Sequence, residues 1–192
     1  MSGLCVVLHS HTGFMPDYIA FLRGINLGRN RVFPKADIVA ATEAAGGRGV
    51  ATYINTGNVR LTTSMRSPVR VREALERAYL ADRGFEVPIV VFTPAELRAL
   101  TERGSALRAE NVPGARHYVT LFHSEPDPAV VAQLEAIDAP GERVVVEGRA
   151  AYTLVDGDIS TSRLLTSKEY AALGQGTART ITVLRTIATK WC

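Results

Sequence analysis

Lysine is nearly missing from this chain. It occurs only at positions 35, 168 and 190, so arginine supplies almost all of the 22 basic residues. Cysteine is scarcer still, at positions 5 and 192, the two extremes of the sequence. That placement excludes a disulfide framework and any CxxC metal or redox motif, and it fits a reducing cytoplasm. No apolar run approaches the roughly 18–20 residues that cross a bilayer, so no membrane partner is expected. The opening MSGLCVVLHSH lacks a basic n-region and a small-residue cleavage site, and reads as non-secretory. Signatures of the G-x-S-x-G, H-E-x-x-H and G-x-x-x-x-G-K-[ST] types are absent. No metal and no cofactor are therefore expected.

What is present is ordinary for a folded protein. A chain of 192 residues with 46% hydrophobic and 21% charged residues suits one large domain or two small ones and excludes disorder as its main state. The net charge of +3 and pI near 9.1 are a milder excess than a dedicated nucleic-acid binder carries. So uniform a use of arginine is equally well explained by genome composition. Met15-Pro16-Asp17 stands directly before the first strand pattern, so residues 1–14 read as an N-terminal extension, and His9 and His11 stay out of any mechanism.

Strand and helix patterns alternate. Tyr18–Arg23 is a short apolar run, followed by a helix from Pro34 that GGRG stops. Val50–Leu61 reads as a strand interrupted at Asn55–Asn58. Val69–Asp82 is an amphipathic helix, Val87–Phe92 a buried strand, and Thr93 caps a helix from Pro94 through Glu102. The polar stretch 104–113 is the expected boundary between a domain over 15–104 and one over 114–192. Beyond it come a strand over His117–His123, a helix over Asp127–Ile137, a hairpin of Arg143–Val146 with Ala150–Val155, a largely helical Ser160–Leu173, and a last helix from about Thr180 to Thr189. Two such runs predict an α+β protein of two small ferredoxin-like α/β sandwiches. A single doubly wound parallel sheet is the competitor, and the hairpin argues against it.

Two polar stretches ask for an explanation. In YIAFLRGINLGRNRVFP the strand breaks into a loop carrying Arg23, Asn26, Gly28, Arg29 and Arg31, which then opens a helix. Free backbone N–H groups, a helix dipole and forked guanidinium donors make such a loop fit for an anion. A solvated loop with paired arginines explains it as well. In YINTGNVRL, Thr56, Gly57 and Asn58 read either as a bulge satisfying its own backbone or as polar groups aimed at a ligand. Weaker candidates complete the set. Ser160–Ser162 suits a helix cap, Ser162, Lys168 and Arg179 are compatible with one crevice, and His117 and His123 are too far apart to share a metal. Asp156 and Asp158 flank a turn glycine.

YIAFLRGINLG, TYINTGNV and the C-terminal GTARTITVLRTIA together resemble the domain of unknown function 1697 family. Members open with L-R-G-I-N-x-G, continue with Y-x-x-[ST]-G-N and close with T-x-R-N-W-x-T-V. Arg23, Gly24, Ile25, Asn26, Gly28, Tyr53, Thr56, Gly57 and Asn58 match the first two motifs, and Thr177 and Arg179 match the third. The resemblance covers the chain from Met15 onward and implies two small α+β sandwich domains, with no particular activity. Thr180 and Ile181 stand where the family usually has Asn and Trp, and Val183 where it has Thr. If that pair touches a ligand, part of the site differs here.

Three functions follow as expectations. The first is an anion- or phosphate-binding surface in the crevice between the domains, built from Arg23, Asn26, Gly28, Arg29, Arg31, Thr56, Gly57, Asn58, Lys168 and Arg179. Its partners would be a nucleotide, phosphate or single-stranded nucleic acid, with strand tyrosines 18 and 53 available for stacking. The second is an enzyme acting on a small phosphorylated or carboxylated metabolite, although no base or nucleophile stands out. The third is a scaffold or regulatory protein whose polar loops are architectural.

Overall fold

The computed structural model describes residues 15–109 and 115–192, so the expected extension 1–14 lies outside the described residues. The first half runs β1 (Asp17–Leu22), α1 (Lys35–Ala44), β2 (Arg48–Tyr53), β3 (Asn58–Thr62), α2 (Pro68–Arg83), β4 (Ile89–Phe92) and α3 (Pro94–Ala109). The second runs β5 (Arg116–Phe122), α4 (Pro128–Glu135), β6 (Glu142–Glu147), β7 (Ala150–Val155), α5 (Lys168–Ala172), β8 (Gly176–Thr180) and α6 (Ile181–Trp191). The sheets are ordered β2-β3-β1-β4 and β6-β7-β5-β8, every pairing antiparallel. Each element of the second half repeats the role of its counterpart in the first. The α+β architecture of two sheet-and-helix domains is thus the one expected, and no single parallel sheet forms.

Period-2 alternation divides each central strand between two cores. Tyr18, Ala20 and Leu22 of β1 face α1 and α2, where Val71, Leu75, Tyr79 and Phe33 are buried. Ile19 and Phe21 face the other way, into a cluster shared with Leu97, Leu100 and Leu107 of α3, Val119 and Leu121 of β5, Tyr152 of β7, and Ile181, Leu184 and Ile187 of α6. The outer face of the second sheet packs Phe122, Ala151 and Val144 against Leu134, Leu164 and Leu173. The last helix of each half therefore lies in a core common to both sheets.

Local chemistry fixes the helix starts. Ser67 accepts from Arg70 N with Pro68 next in line, and Gly84 ends α2 in the left-handed conformation. Thr93 and Glu96 form a reciprocal capping box on α3.

Three local expectations change. The segment 50–61 is a hairpin of β2 and β3 rather than one interrupted strand. Ser160–Leu173 is helical only at its two ends, because Glu142 of β6 accepts hydrogen bonds from Ser162 Oγ and the N–H groups of Arg163 and Leu164, drawing the backbone between them out of a helix. The helical pieces that do form there are the single turn at Ile159–Thr161 and α5. Finally, α3 continues past Glu102 through Gly104 to Ala109. A Cβ at Gly104 would lie 2.5 Å from Ile181 Cδ1 and 3.2 Å from Tyr152 Cε1, so this glycine serves a close helix-to-core approach rather than a linker.

His117 lies on a central strand, 5% exposed, with neither ring nitrogen hydrogen-bonded among the described residues. Burial, reinforced by the charge of Arg108, pushes its pKa down to about 4. The unfolded chain takes up a proton near 6.5 and the folded chain only near 4, so acid favours unfolding across that window. Stability is fully present above pH 6.5 and falls by on the order of 2 kcal/mol as pH approaches 4. Urea melts from pH 7 to 4 test this: His117→Leu should lose that part of the pH slope, and an unchanged slope would show that His117 does not carry it.

Candidate functional site

At the C-terminal end of β1 the two halves meet through a buried polar network. β3 pairs Asn58 with Phe21, which puts the Asn58 side chain on the face turned toward the second sheet. β8 pairs Arg179 with Val119 and Thr177 with Leu121, so both polar residues point back at the first. The Arg179 guanidinium, on a residue 8% exposed, then closes the gap. Its Nε donates to Asn58 Oδ1 at 2.7 Å, Nη1 to Thr177 Oγ1 at 2.9 Å and Ala178 O at 2.8 Å, and Nη2 to Leu22 O at 2.9 Å, Thr56 O at 2.6 Å and Gly57 O at 3.2 Å.

All three nitrogens of the guanidinium are thus engaged. Among the described residues no carboxylate pairs with Arg179; carbonyl dipoles and the Phe21 ring, 5.8 Å away, surround it. Burial pulls its pKa down to about 10, which leaves it charged at neutral pH. Asn58 completes the network by donating from Nδ2 to Tyr53 O at 2.9 Å and Thr56 Oγ1 at 3.0 Å.

Asn26 holds the basic loop. It sits at φ 55° and donates from Nδ2 to Asn55 O at 2.8 Å and Phe33 O at 3.3 Å, while its Oδ1 accepts from Phe33 N at 2.9 Å. Arg31 braces the same loop, donating to Gly24 O and Glu86 O and lying 4.7 Å over the Phe85 ring. Gly28 and Arg29 are at the exposed tip. Asn26, Arg31, Thr56, Gly57, Asn58 and Arg179 therefore hydrogen-bond within the protein.

Arg23 is different. Its backbone N–H is fixed to Pro88 O at 2.9 Å, but its exposed side chain has no hydrogen-bond or ion-pair partner among the described residues. It lines a cavity of about 210 Å³ at the seam of the two halves, together with Arg72 and Glu76 of α2, Pro88–Val90, His123, Gln175 and Gly176. Arg72 Nε is buried without a hydrogen-bond acceptor, its nearest charge being Glu76 Oε2 at 3.9 Å. Glu76 in turn accepts from Ile89 N at 3.1 Å through its other oxygen. Two guanidinium groups thus face one recess with one partly committed carboxylate. A larger open groove of about 490 Å³ between α3 and α6, lined by Arg98, Thr101, Glu102, Ser105 and Arg185, contains none of the residues that match the family motifs.

Lys168 does not join Arg179. It stands on α5, on the opposite face of the second sheet, 92% exposed beside Glu169. Ser162 is buried against Glu142. Thr180 caps α6 by accepting from Val183 N, and Ile181 is buried in the shared core, so two of the three positions where this chain departs from the family motif, and the backbone of the third, shape the helix start.

Sequence reading missed Arg72 and Gln175, and considered His123 as a metal ligand, too far from His117 to share one. It also missed Arg149, which donates to Val91 O at 3.2 Å and Glu96 Oε1 at 2.9 Å while stacking 4.0 Å over Phe92. No local pattern marks these residues, because each acts on a partner distant in sequence.

A family model described as "Protein of unknown function (DUF1697)" matches residues 15–152. Among solved structures, the chain resembles the conserved bacterial protein SP0830 from Streptococcus pneumoniae, at 22% identity and a TM-score of 0.68. The match covers 92% of this chain and 98% of that one, a likeness of fold. No curated protein matches. Among the described residues no helix is long and apolar enough to cross a membrane, and no group of three or more His, Cys, Asp or Glu is placed to hold a metal.

The network makes Gly57 sensitive. It sits at φ 75°, and a Cβ there would lie 2.6 Å from Leu22 Cβ and 2.9 Å from Ile25 Cδ1. Gly57→Ala combines left-handed strain with overpacking and should cost about 2–4 kcal/mol in equilibrium unfolding. A loss under about 0.5 kcal/mol would mean that the turn is not held this tightly.

Proposed function

We propose, from the premise that the chain belongs to the DUF1697 family, that this protein binds a small anion, a phosphate or carboxylate group, in the seam cavity. The observation that carries this reading is the Arg23 side chain, a cation without a partner among the described residues that lines the same recess as Arg72. An anion there would meet the Arg23 guanidinium and the charge of Arg72, whose ion pair with Glu76 is long at 3.9 Å. His123 and Gln175 add donors from the other half of the chain. Clefts between domains commonly hold ligands, and at about 210 Å³ this one suits a compact head group.

A strand of nucleic acid fits less well. Tyr18 is buried in the core beside α1 and α2, and Tyr53 packs against the shared core, so neither offers a face for stacking. The reading concerns binding. The groups around the recess supply positive charge and hydrogen-bond donors and assign no reaction.

Titration with inorganic phosphate, followed by amide chemical shifts or calorimetry, tests the proposal. Binding should saturate at one site and weaken with added salt. Arg23→Gln should reduce affinity at least roughly tenfold, the effect of losing one charge-assisted hydrogen bond. Its melting temperature should stay near wild type, because Arg23 supports nothing else through its side chain. Equal phosphate affinity in wild type and Arg23→Gln, or no saturable binding in either, would refute the site.

A further inference from the structure

The seam cavity does not end at its charged recess. A second hollow of about 340 Å³ adjoins it, and the two share Glu76, Pro88 and Gln175 as common walls. The chemistry changes along the way. Leu80 of α2 stands 45% exposed there, one of few large apolar side chains among the described residues left open to water, and the partly exposed Pro88 continues the apolar wall. Arg77, Glu86 and Gln175 form a polar rim. The groove therefore has a cationic end at Arg23 and Arg72 and an apolar strip at Leu80 and Pro88.

We infer that the ligand is a phosphomonoester carrying a short aliphatic tail, with its head at Arg23 and Arg72 and its tail along Leu80 and Pro88. This rests on the anion reading above and deepens it. The hydroxyls of a sugar phosphate would find no partner on Leu80 and Pro88 and would have to reach the polar rim at Arg77, Glu86 and Gln175. An aliphatic tail instead removes Leu80 from water, which is where affinity beyond the head group originates. A planar base finds no aromatic partner, since the residues lining this hollow include none.

The test is a series of inorganic phosphate, methyl, butyl and hexyl phosphate, with glycerol phosphate as the polar-tailed comparison, titrated into the full chain. Affinity should rise by about twofold per methylene, about half the free-energy gain expected for a fully buried methylene, because one side of the groove stays open. Butyl phosphate should outbind glycerol phosphate at least several-fold. Leu80→Gln, a helix-compatible change at a half-open position, should flatten the alkyl series. Saturable phosphate binding with no dependence on tail length, or a preference for glycerol phosphate, overturns the aliphatic assignment and leaves the anion site standing. Absence of binding by every phosphate in the series overturns both. The wild-type comparison of butyl with glycerol phosphate decides the point even if Leu80→Gln does not fold.

Discussion

A single buried guanidinium holds the polar junction of the two halves. Arg179 reaches from β8 to three carbonyls at the far end of the first sheet, those of Leu22, Thr56 and Gly57, and to the Asn58 side chain. A buried cation without a carboxylate is costly unless its donors are satisfied, and here the protein supplies an acceptor to each nitrogen. Lysine would not serve. Its compact ammonium offers three donors from one point, whereas the planar fork reaches several carbonyls at once. Arg149 plays the matching part at the other end of the interface, where the β6–β7 turn meets β4 and α3. The shared core of α3 and α6 fills the space between them.

This junction also shapes the cavity. Arg179 and Thr177 hold the carbonyl of Leu22, and Pro88 holds the N–H of the next residue, Arg23. The backbone is pinned on both sides of Arg23 while its side chain stays uncommitted. A cation so placed needs little reordering to meet an anion. The loop beyond is fixed too, with Asn26 and Ile54 both at positive φ, near 55° and 50°. For a β-branched residue such as Ile54 that conformation is strained, and the Asn26 bond to Asn55 O helps to hold it.

Much of the fold is written locally in the sequence. The apolar runs at 18–22 and 89–92, the amphipathic helix after Ser67 and the Thr93 capping box all follow from short-range rules. Both polar motifs are also visible as motifs. What local sequence does not contain is the direction of their side chains. Asn26, Thr56, Gly57 and Asn58 read as an anion-accepting face by residue type, yet Asn26 and Asn58 bond to backbone or to Arg179, a partner more than a hundred residues away. Gly104 looks like a linker signal and is a packing requirement set by Ile181. β8 hides inside GTART, where alternation is too short to separate from the helix that follows. Of the residues expected to face a ligand, Arg23 alone lines the seam cavity, and its neighbours Arg72, His123 and Gln175 come from three other segments.

The most direct measurement is a double-mutant cycle between Arg179 and Asn58, comparing urea unfolding of wild type, Arg179→Met, Asn58→Ala and the double variant. If the guanidinium and the amide are members of one buried network, removing either strands polar atoms that the other had satisfied. The double variant should then be more stable than the sum of the single losses by at least about 1 kcal/mol. Additivity within about 0.5 kcal/mol would contradict the account, because Arg179 and Asn58 would then act independently and the junction would rest on apolar packing alone.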